Sequence, residues 1–291
     1  MVKRKLPDFW THIIAGKEMV TSSRQDLLRK SMEKAKTSFN FGCQGPDFLF
    51  YNLLNPLDGP MLGKKMHKKK LGKSVIQAAR FGKQNSSSQL RAYLIGFITH
   101  ILVDRDLHPF ILARSPDYTT HKKLENELDV FLVQHFLGLD LQEINTFQQI
   151  EFAEEIPAEI TDFFQYLSAQ VYDNPRGEKA LTYSYSYFKL LQSLLNGPGN
   201  IRRAAIKAAN FVIPYDLDTL MYGEGGNMLW LEEKRRFLHH YQQTTLRGSQ
   251  ILNFIGNYWR GVNSEQALEF FLANLDFEEP KEAEILATLP A

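Results

Sequence analysis

The sequence is poor in cysteine and in net charge. Cys43 is the single cysteine among 291 residues, so no disulfide can form within the chain, which is consistent with a reducing compartment. The 34 lysines and arginines are almost balanced by 33 aspartates and glutamates, which leaves a formal net charge of +1. A charge this small gives no field over the whole molecule that would attract nucleic acid or an anionic membrane.

The sequence also lacks a long apolar run. The longest one, at residues 94–103, contains His100 and is much shorter than the roughly 20 residues that a membrane-spanning helix needs. The N-terminal segment MVKRKLPDFWTHIIAGKEM starts with basic residues, but it lacks the apolar stretch of about seven residues that a secretory signal requires. We therefore expect a soluble, cytoplasmic protein.

Internal repeats and pairs of strand patterns are missing as well, whereas apolar residues recur at helical spacing along most of the chain. This periodicity predicts an all-α fold, a multi-helix bundle with additional C-terminal helices. Tyr183, Tyr185 and Tyr187 alternate as in a strand, but their flanks indicate a helix. In the second half, helices are predicted at 157–172, 178–196, 200–212, 228–257 and 264–275.

Breakers and capping residues predict several helix ends in the first half. A Ser-Ser pair precedes the amphipathic segment RQDLLRKSMEKAKTSF, which we expect to form one helix. Pro109 is expected to end the helix before it, because proline lacks the backbone N–H that a helix interior needs. Thr119 or Thr120 is expected to cap the following helix, and Gly138 to end it.

Ligand-type side chains recur at four-residue steps in LIGFITHILVDRDLHPFILARSPDYTTHKKLE, at His100, Asp104 and His108 and again at His121 and Glu125. Side chains four residues apart lie on one face of a helix, and the apolar neighbours indicate that this face points into the protein. Unpaired polar groups in a core cost several kcal/mol, to order of magnitude. A divalent metal is the simplest common partner for these side chains.

Three further residues can join this set, although each has an ordinary interpretation. His12 lies among aromatic and aliphatic residues and could be a core histidine, while Asp47 follows a Gly-Pro turn and could cap a helix. His67 lies inside the basic run KKMHKKK, and such runs are usually solvated. By contrast, we expect His135, His239 and His240 to be surface histidines.

The complete set of imidazoles and carboxylates contains no thiolate, which suits zinc, with manganese and iron as alternatives. It is too large for one tetrahedral ion, so two or three ions are implied, and Asp104 is placed to bridge neighbouring ions. Because this spacing does not recur later, we divide the chain into a metal-binding helical domain, residues 1–138, and a C-terminal helical region packed on it, residues 139–291. The predicted ligands are His12, Asp47, His67, His100, Asp104, His108, His121 and Glu125.

The order H…GPD…H…THxxxD…H…HxxxE resembles the bacterial zinc-dependent phospholipase C family, which is all-helical and shares its fold with zinc-dependent single-strand nucleases. The resemblance covers roughly residues 8–135 and is strongest in GPDFLFYN, GFITHILVD and HKKLE. It implies that Asp47 is the general base for the attacking water. It also implies three zinc sites: Asp47 with His67, His100 and Asp104; His108 with His121 and Glu125; and His12 with Asp104.

Two features depart from the secreted members of that family. His108 follows Asp104 by four residues, which is closer than in those enzymes. The secreted enzymes also complete the third site with the amino group and carbonyl of a processed first residue, a tryptophan. This chain shows no processing signal, and Trp10 is too close to His12 for that role, which leaves Met1 or Val2 as terminal candidates.

Paired divalent ions polarise a phosphoryl oxygen and activate water, so we predict a metal-dependent hydrolase of phosphate esters. The expected reaction is phospholipase C-like cleavage of a phospholipid or a small phosphodiester, with Phe48, Tyr51 and Lys68 as substrate contacts. The lysines of KKMHKKK would surround the mouth of the site, and we expect a peripheral membrane contact and no specific nucleic-acid readout. The alternatives are a single-strand nuclease, with bases stacked on Phe48, Phe50 and Tyr51, and a non-catalytic metal-containing binding protein.

Overall fold

The computed structural model describes residues 9–52, 55, 59–141, 144–195, 229–273 and 275. Within these ranges the chain forms helices and no strand, which confirms the predicted all-α class. Within the same ranges, no helix combines the length and the apolar character needed to cross a membrane. The α-helices, numbered here in chain order, are α1 (Trp10–Ser22), α2 (Asp26–Lys34), α3 (Lys36–Gly42), α4 (Gly59–Lys68), α5 (Leu71–Gln84), α6 (Ser88–Leu112), α7 (Tyr118–Leu137), α8 (Ala158–Tyr172), α9 (Gly177–Leu195), α10 (Leu231–Trp259) and α11 (Glu265–Ala273).

Helix α6 lies at the centre of the bundle. It is 25 residues long and is apolar all round over most of its length, so it has no face that favours solvent. Helices α1, α2, α3, α5 and α10 surround it, and the 3-10 helix Gly45–Tyr51 packs on it as well. The central position explains how His100 becomes buried on a helix that the rest of the molecule covers.

Helices α3 and α6 approach each other closely at two glycines. A Cβ atom on Gly42 would lie 2.1 Å from the carbonyl oxygen of Tyr93, and one on Gly96 would lie 2.2 Å from the carbonyl oxygen of Phe39. Any side chain at either position would force the two backbones apart. The close contact brings the end of α3 against the part of α6 that carries His100.

Helix ends differ from the predictions at three places. The segment after the Ser-Ser pair forms two helices, because the backbone leaves helical geometry at Ala35, with φ −135° and ψ 56°. Pro109 does not end α6, which continues to Leu112. The carbonyl of Pro109 still accepts the N–H of Ala113, at 3.1 Å, so the helical hydrogen bonding continues past the proline. Asp117, and not one of the two threonines, caps α7 by accepting the N–H of Thr120 at 3.0 Å.

Other predicted boundaries are close to those observed. Gly138 ends α7 in the left-handed conformation, with φ 65°. Helices α8, α9, α10 and α11 match four of the five segments predicted in the second half, and the alternating tyrosines lie within α9. The fifth segment, 200–212, lies outside the described residues.

The C-terminal helices share the core with the N-terminal ones. Helix α10 packs on α1, α5 and α6, and α8 packs on α5 and α6. Trp259 of α10 donates its indole N–H to the carbonyl of Ala79 in α5, at 2.7 Å. The buried hydrophobic cluster draws on residues from both sides of residue 138, and the division into 1–138 and 139–291 stays a prediction.

Candidate metal centre

Two histidines of the site are fixed by backbone carbonyls. His67 Nδ1 lies 2.7 Å from the carbonyl oxygen of Gly63, one turn earlier in α4, and His100 Nδ1 lies 3.0 Å from the carbonyl oxygen of Cys43. A carbonyl can only accept, so each ring donates from Nδ1 and turns Nε2 towards the interior of the site. Both Nε2 atoms are buried and face carboxylates of the site.

Asp104 lies at the centre of the first cluster of ligand-type residues. Its Oδ2 atom lies 3.5 Å from Nε2 of both His67 and His100, and its Oδ1 atom lies 3.5 Å from Nε2 of His12. The rings of His12 and His100 stack with centroids 4.2 Å apart. One carboxylate therefore faces three imidazoles with two different oxygens, which is the arrangement expected of a bridging carboxylate.

Asp47 completes the first cluster from the first turn of the 3-10 helix Gly45–Tyr51. Its Oδ1 atom lies 2.7 Å from Nε2 of His67. The preceding turn depends on Gly45, which has a φ of +48° and whose Cβ would lie 2.3 Å from the ring of His100. Both the left-handed backbone and the contact with the imidazole require glycine at this position.

His108, His121 and Glu125 form a second cluster, between the end of α6 and the start of α7. His121 Nε2 lies 2.8 Å from Glu125 Oε1 and 3.3 Å from His108 Nε2. Ser115 Oγ donates to the carbonyl of Ile111 at 2.6 Å and lies 3.0 Å from His121 Nδ1, so it accepts the Nδ1 proton. His121 therefore turns Nε2 towards the cluster, as His67 and His100 do in theirs.

The carboxylates of both clusters are held in the charged state. Burial raises the pKa of Asp104, but the neighbouring His100, His108 and His12 lower it more, so that the pKa lies well below its usual range. Burial likewise raises the pKa of Glu125, while Lys122 and the two histidines of its cluster bring it well below that range. Negative ligands in a buried site favour a divalent cation.

The pKa of His67, the histidine beside Asp47, is shifted by the same interactions between histidines and carboxylates. Burial lowers the pKa of His67, but Asp47 and Asp104 raise it more, to about 9. Asp47 itself has a lowered pKa, because the interaction with His67 outweighs the effect of burial. Without a cation the site thus holds a proton on His67, and a metal ion would take the place of that proton.

The donor set and its geometry fit zinc. Within the described part of the chain, three groups have ligand atoms within 4.8 Å of one another: His12 with Asp47 and His100, His67 with His100 and Asp104, and His108 with His121 and Glu125. Nitrogen and oxygen donors in groups of three suit zinc, and Nε2 atoms of three histidines point at the carboxylates of the first cluster. The structure brings all eight predicted ligands into these two clusters, and their binding of metal stays a prediction. Met1 and Val2 lie outside the described residues.

A pocket opens beside the first cluster. It has a polar side and an apolar side, and Arg105 contributes a positive charge to it. Arg105 is buried, and its Nε atom lies 3.1 Å from Oδ1 of Asp106, which itself lies 3.8 Å from Nη1 of Arg247. The lining residues are Pro46, Met66, His67, Leu71, His100, Ile101, Asp104 and Arg105.

Sequence analysis missed Arg105, Ser115 and Lys122 as site residues. Lys122 is buried and pairs with Oε2 of Glu125. The sequence does not single these residues out, because arginine, serine and lysine are common on solvated surfaces. The one signal was the spacing of Lys122 and Glu125, which lie within one helical turn and could have suggested an ion pair.

Two of the predicted substrate contacts lie in the core. Phe48 and Tyr51 are 1% and 4% exposed and belong to the aromatic core, where both pack against Phe188. Their contact with substrate stays a prediction. Lys68 is exposed at the end of α4, and its contact with substrate stays a prediction.

The three histidines predicted to lie on the surface do so. His135, His239 and His240 are all exposed. None of them belongs to a cluster of potential metal ligands within the ranges that the structure describes.

The chain resembles a known protein family over more than half of its length. The family model described as zinc dependent phospholipase C matches residues 11–174, which is more than half of the chain and includes all eight predicted ligands. The chain matches no curated protein and no solved structure. The match begins within α1 and ends beyond α8, so it includes both clusters and crosses residue 138. The chain therefore belongs to the zinc-dependent phospholipase C family.

Proposed function

We propose that this protein hydrolyses a phosphodiester, with a phospholipid or a related small molecule as substrate, at the two clusters of histidine and carboxylate side chains. The observation that carries the proposal is Asp104, whose two oxygens face three imidazoles in a buried site. Membership of the zinc-dependent phospholipase C family supports a metal-dependent hydrolase of phosphate esters.

Two ions, with a third at His12, fit the clusters. Asp47, His67, His100 and Asp104 would hold one ion, while His108, His121 and Glu125 would hold a second. His12 faces Asp104 and groups with Asp47 and His100, so it would contribute to a third ion that shares ligands with the first. Zinc bound by these residues would supply a Lewis acid, which would lower the pKa of a water molecule and neutralise charge on the phosphoryl oxygens.

Asp47 is the proposed general base. It is ionised, it lies beside the pocket, and one of its oxygens is oriented by His67 at 2.7 Å. A carboxylate in this state accepts the proton of an attacking water as the water adds to phosphorus. His67 is in turn held by the carbonyl of Gly63, so two successive contacts fix the orientation of the Asp47 carboxylate.

The pocket supports an amphiphilic, anionic substrate. Arg105 supplies a buried cation beside the first cluster, and guanidinium groups bind phosphate oxygens in a bidentate manner. Met66, Leu71 and Ile101 form the apolar side of this small pocket. The exposed lysines of α4 continue the positive charge outwards, and the proposed peripheral contact with a membrane would use them.

The two alternatives differ in support. The nuclease alternative relied on Phe48, Phe50 and Tyr51 as a stacking platform, and the burial of all three rings disfavours the stacking of a base on them. The lipid or small phosphodiester is therefore the better substrate class. A non-catalytic metal-binding protein would carry the same ligands, and only an activity measurement separates it from an enzyme.

The test compares substrates under control of metal. Purified protein is analysed for zinc by elemental analysis and then assayed with a chromogenic phosphodiester, phospholipid in mixed micelles, and single-stranded DNA. We expect turnover of the first two substrates, its loss with chelator and its return with added zinc. Preference for single-stranded DNA would support the nuclease, and zinc-loaded protein inactive on all three would support the binding protein.

A further inference from the structure

Asp129 joins two distant parts of the chain. It lies on α7, four residues after Glu125, and is fully buried. Its Oδ2 atom accepts the backbone N–H groups of Phe9 at 2.9 Å and Trp10 at 3.0 Å. Its Oδ1 atom accepts both the backbone N–H and the hydroxyl of Thr11, each at 2.7 Å. One carboxylate thus binds the start of α1 through four hydrogen bonds.

This arrangement replaces a local helix cap. The first N–H groups of a helix have no partner within the helix and carry its partial positive charge, so an oxygen acceptor there is stabilising. Helices α6 and α7 use Ser87 and Asp117 of their own chain segments for this purpose. Helix α1 has no side-chain cap at Phe9, and its acceptor comes from α7 instead. The start of α1 is therefore held by α7.

His12 follows directly on the segment that Asp129 holds. Its Nε2 atom lies 3.5 Å from Asp104 Oδ1, and its ring stacks on His100. A small rotation or shift of α1 would move the imidazole away from both. Along α7, His121, Glu125 and Asp129 follow at four-residue steps, so the helix that supplies the second cluster also determines where α1 presents its histidine to the first.

We propose that Asp129 is a positioning residue that places His12 for metal binding through the backbone of α1. The inference rests on the proposed metal site at His12, and it assigns to Asp129 no contact with metal or substrate. Outer partners that orient ligands typically change metal affinity by about 10- to 100-fold when they are replaced.

The test uses Asp129→Asn, which replaces one acceptor oxygen by a donor amide and so opposes the N–H groups it faces. The readout is zinc per chain after equilibration in buffered zinc, together with the visible absorption of the cobalt-substituted protein. We expect the ion at His12 to bind about tenfold more weakly or worse, while the ion at the second cluster keeps its occupancy. The double variant with His12→Gln should lose no more metal than His12→Gln alone, because both changes affect the same ion.

Two matched variants distinguish positioning from general loss of stability. Thr11→Val removes only the hydroxyl bond to Asp129, so the backbone bonds and the zinc content should remain. Trp10→Phe removes the indole hydrogen bond to Thr146 Oγ1, of 3.1 Å, and weakens the same helix start without touching Asp129. If Trp10→Phe loses the same ion at an equal drop in melting temperature, the proposal is wrong.

Two further outcomes are decisive. If Asp129→Asn does not fold, Asp129→Glu keeps the charge but displaces the oxygens by one methylene, and the same selective loss is expected. Full zinc occupancy in a folded Asp129 variant would overturn the inference. The inference would also fail if the His12→Gln variant bound as much zinc as the wild type. Because the readout is metal content, a wild type that binds zinc without hydrolysing any phosphodiester would refute the proposed function and leave this inference standing.

Discussion

At the scale of single residues, the first cluster depends on Asp104, which faces three histidines. It is a half-buried carboxylate that three imidazoles approach from two sides; burial raises its pKa, but the neighbouring histidines lower it more. Its neighbour Arg105 is buried and lines the pocket. In the proposed function these two adjacent residues would serve the metals and the substrate, respectively.

Asp104→Asn should remove metal and lower thermal stability. The amide binds zinc more weakly than a carboxylate and cannot serve two ions, so at least the shared ions should be lost. Ligand binding at a hundred times its Kd contributes roughly 3 kcal/mol, which sets the scale of the expected loss. Elemental analysis and thermal unfolding with and without zinc measure both effects. Full metal content in the variant would contradict the bridging role.

Arg105→Gln should weaken the handling of substrate without loss of metal. A buried guanidinium that binds a phosphate oxygen is worth about tenfold or more in kcat/KM, which corresponds to about 1.4 kcal/mol. Steady-state kinetics on a chromogenic phosphodiester and elemental analysis measure the two quantities. Arg247→Gln is the matched control, because Arg247 pairs with the same Asp106 but does not line the pocket. Equal effects of the two variants on kcat/KM would mean that the ion pairs with Asp106, and not a contact of Arg105 with substrate, are responsible.

At the scale of structural elements, the turn between α3 and the 3-10 helix determines where Asp47 lies. This turn contains Gly45, with its left-handed backbone against the ring of His100. The close crossing of α3 and α6 at Gly42 and Gly96 sets the position of the same segment from the other side. The element that carries the proposed base is thus placed by glycines and not by its own short helix.

Gly45→Ala should lower both stability and zinc content. Gly138→Ala is its control, since Gly138 has a similar positive φ of +65° but open space where a Cβ would lie. Both variants carry the strain of a left-handed alanine, about 1 kcal/mol, and only Gly45→Ala adds the contact with His100. Denaturant unfolding and elemental analysis separate these terms. Similar stabilities and full zinc content in both variants would show that the contact is relieved without consequence.

At the scale of the whole molecule, the absence of metal should give stability a characteristic pH dependence. The pKa of His67 is raised to about 9 by Asp47 and Asp104, against the effect of burial. A group with a raised folded pKa stabilises the protein fully below its unfolded pKa, near 6.5, and this stabilisation is lost as pH rises through about 9. The lowered pKa values of Asp104 and Glu125 act oppositely, because their stabilisation is lost as pH falls through the folded values.

We therefore expect chelator-treated protein to lose on the order of 3 kcal/mol of unfolding free energy between about pH 6.5 and pH 9. Zinc-loaded protein should not show this loss, because metal takes the place of the proton on His67. Denaturant unfolding across this pH range measures it. His67→Gln without metal is the control and should lack the decline, and a decline of equal size there would assign it to other groups.

The sequence by itself determined the all-α class and indicated the candidate ligands from His100 to Glu125. Both follow from local spacing: apolar residues at helical period predict helices, and histidine and carboxylate four residues apart share a helix face. The residues from His100 to Glu125 gave this information directly. Gly138 was also predictable, because a left-handed helix end has a strong preference for glycine.

Only the tertiary structure decided which side chains reach the site. Phe48 and Tyr51 follow Asp47 closely in sequence, yet the 3-10 helix turns them into the aromatic core. Asp129 holds a segment 120 residues away, and Arg105 faces a pocket formed with α4 and α5. Such contacts join residues far apart in the chain and leave no periodic pattern, because they depend on how helices pack and not on how each helix forms.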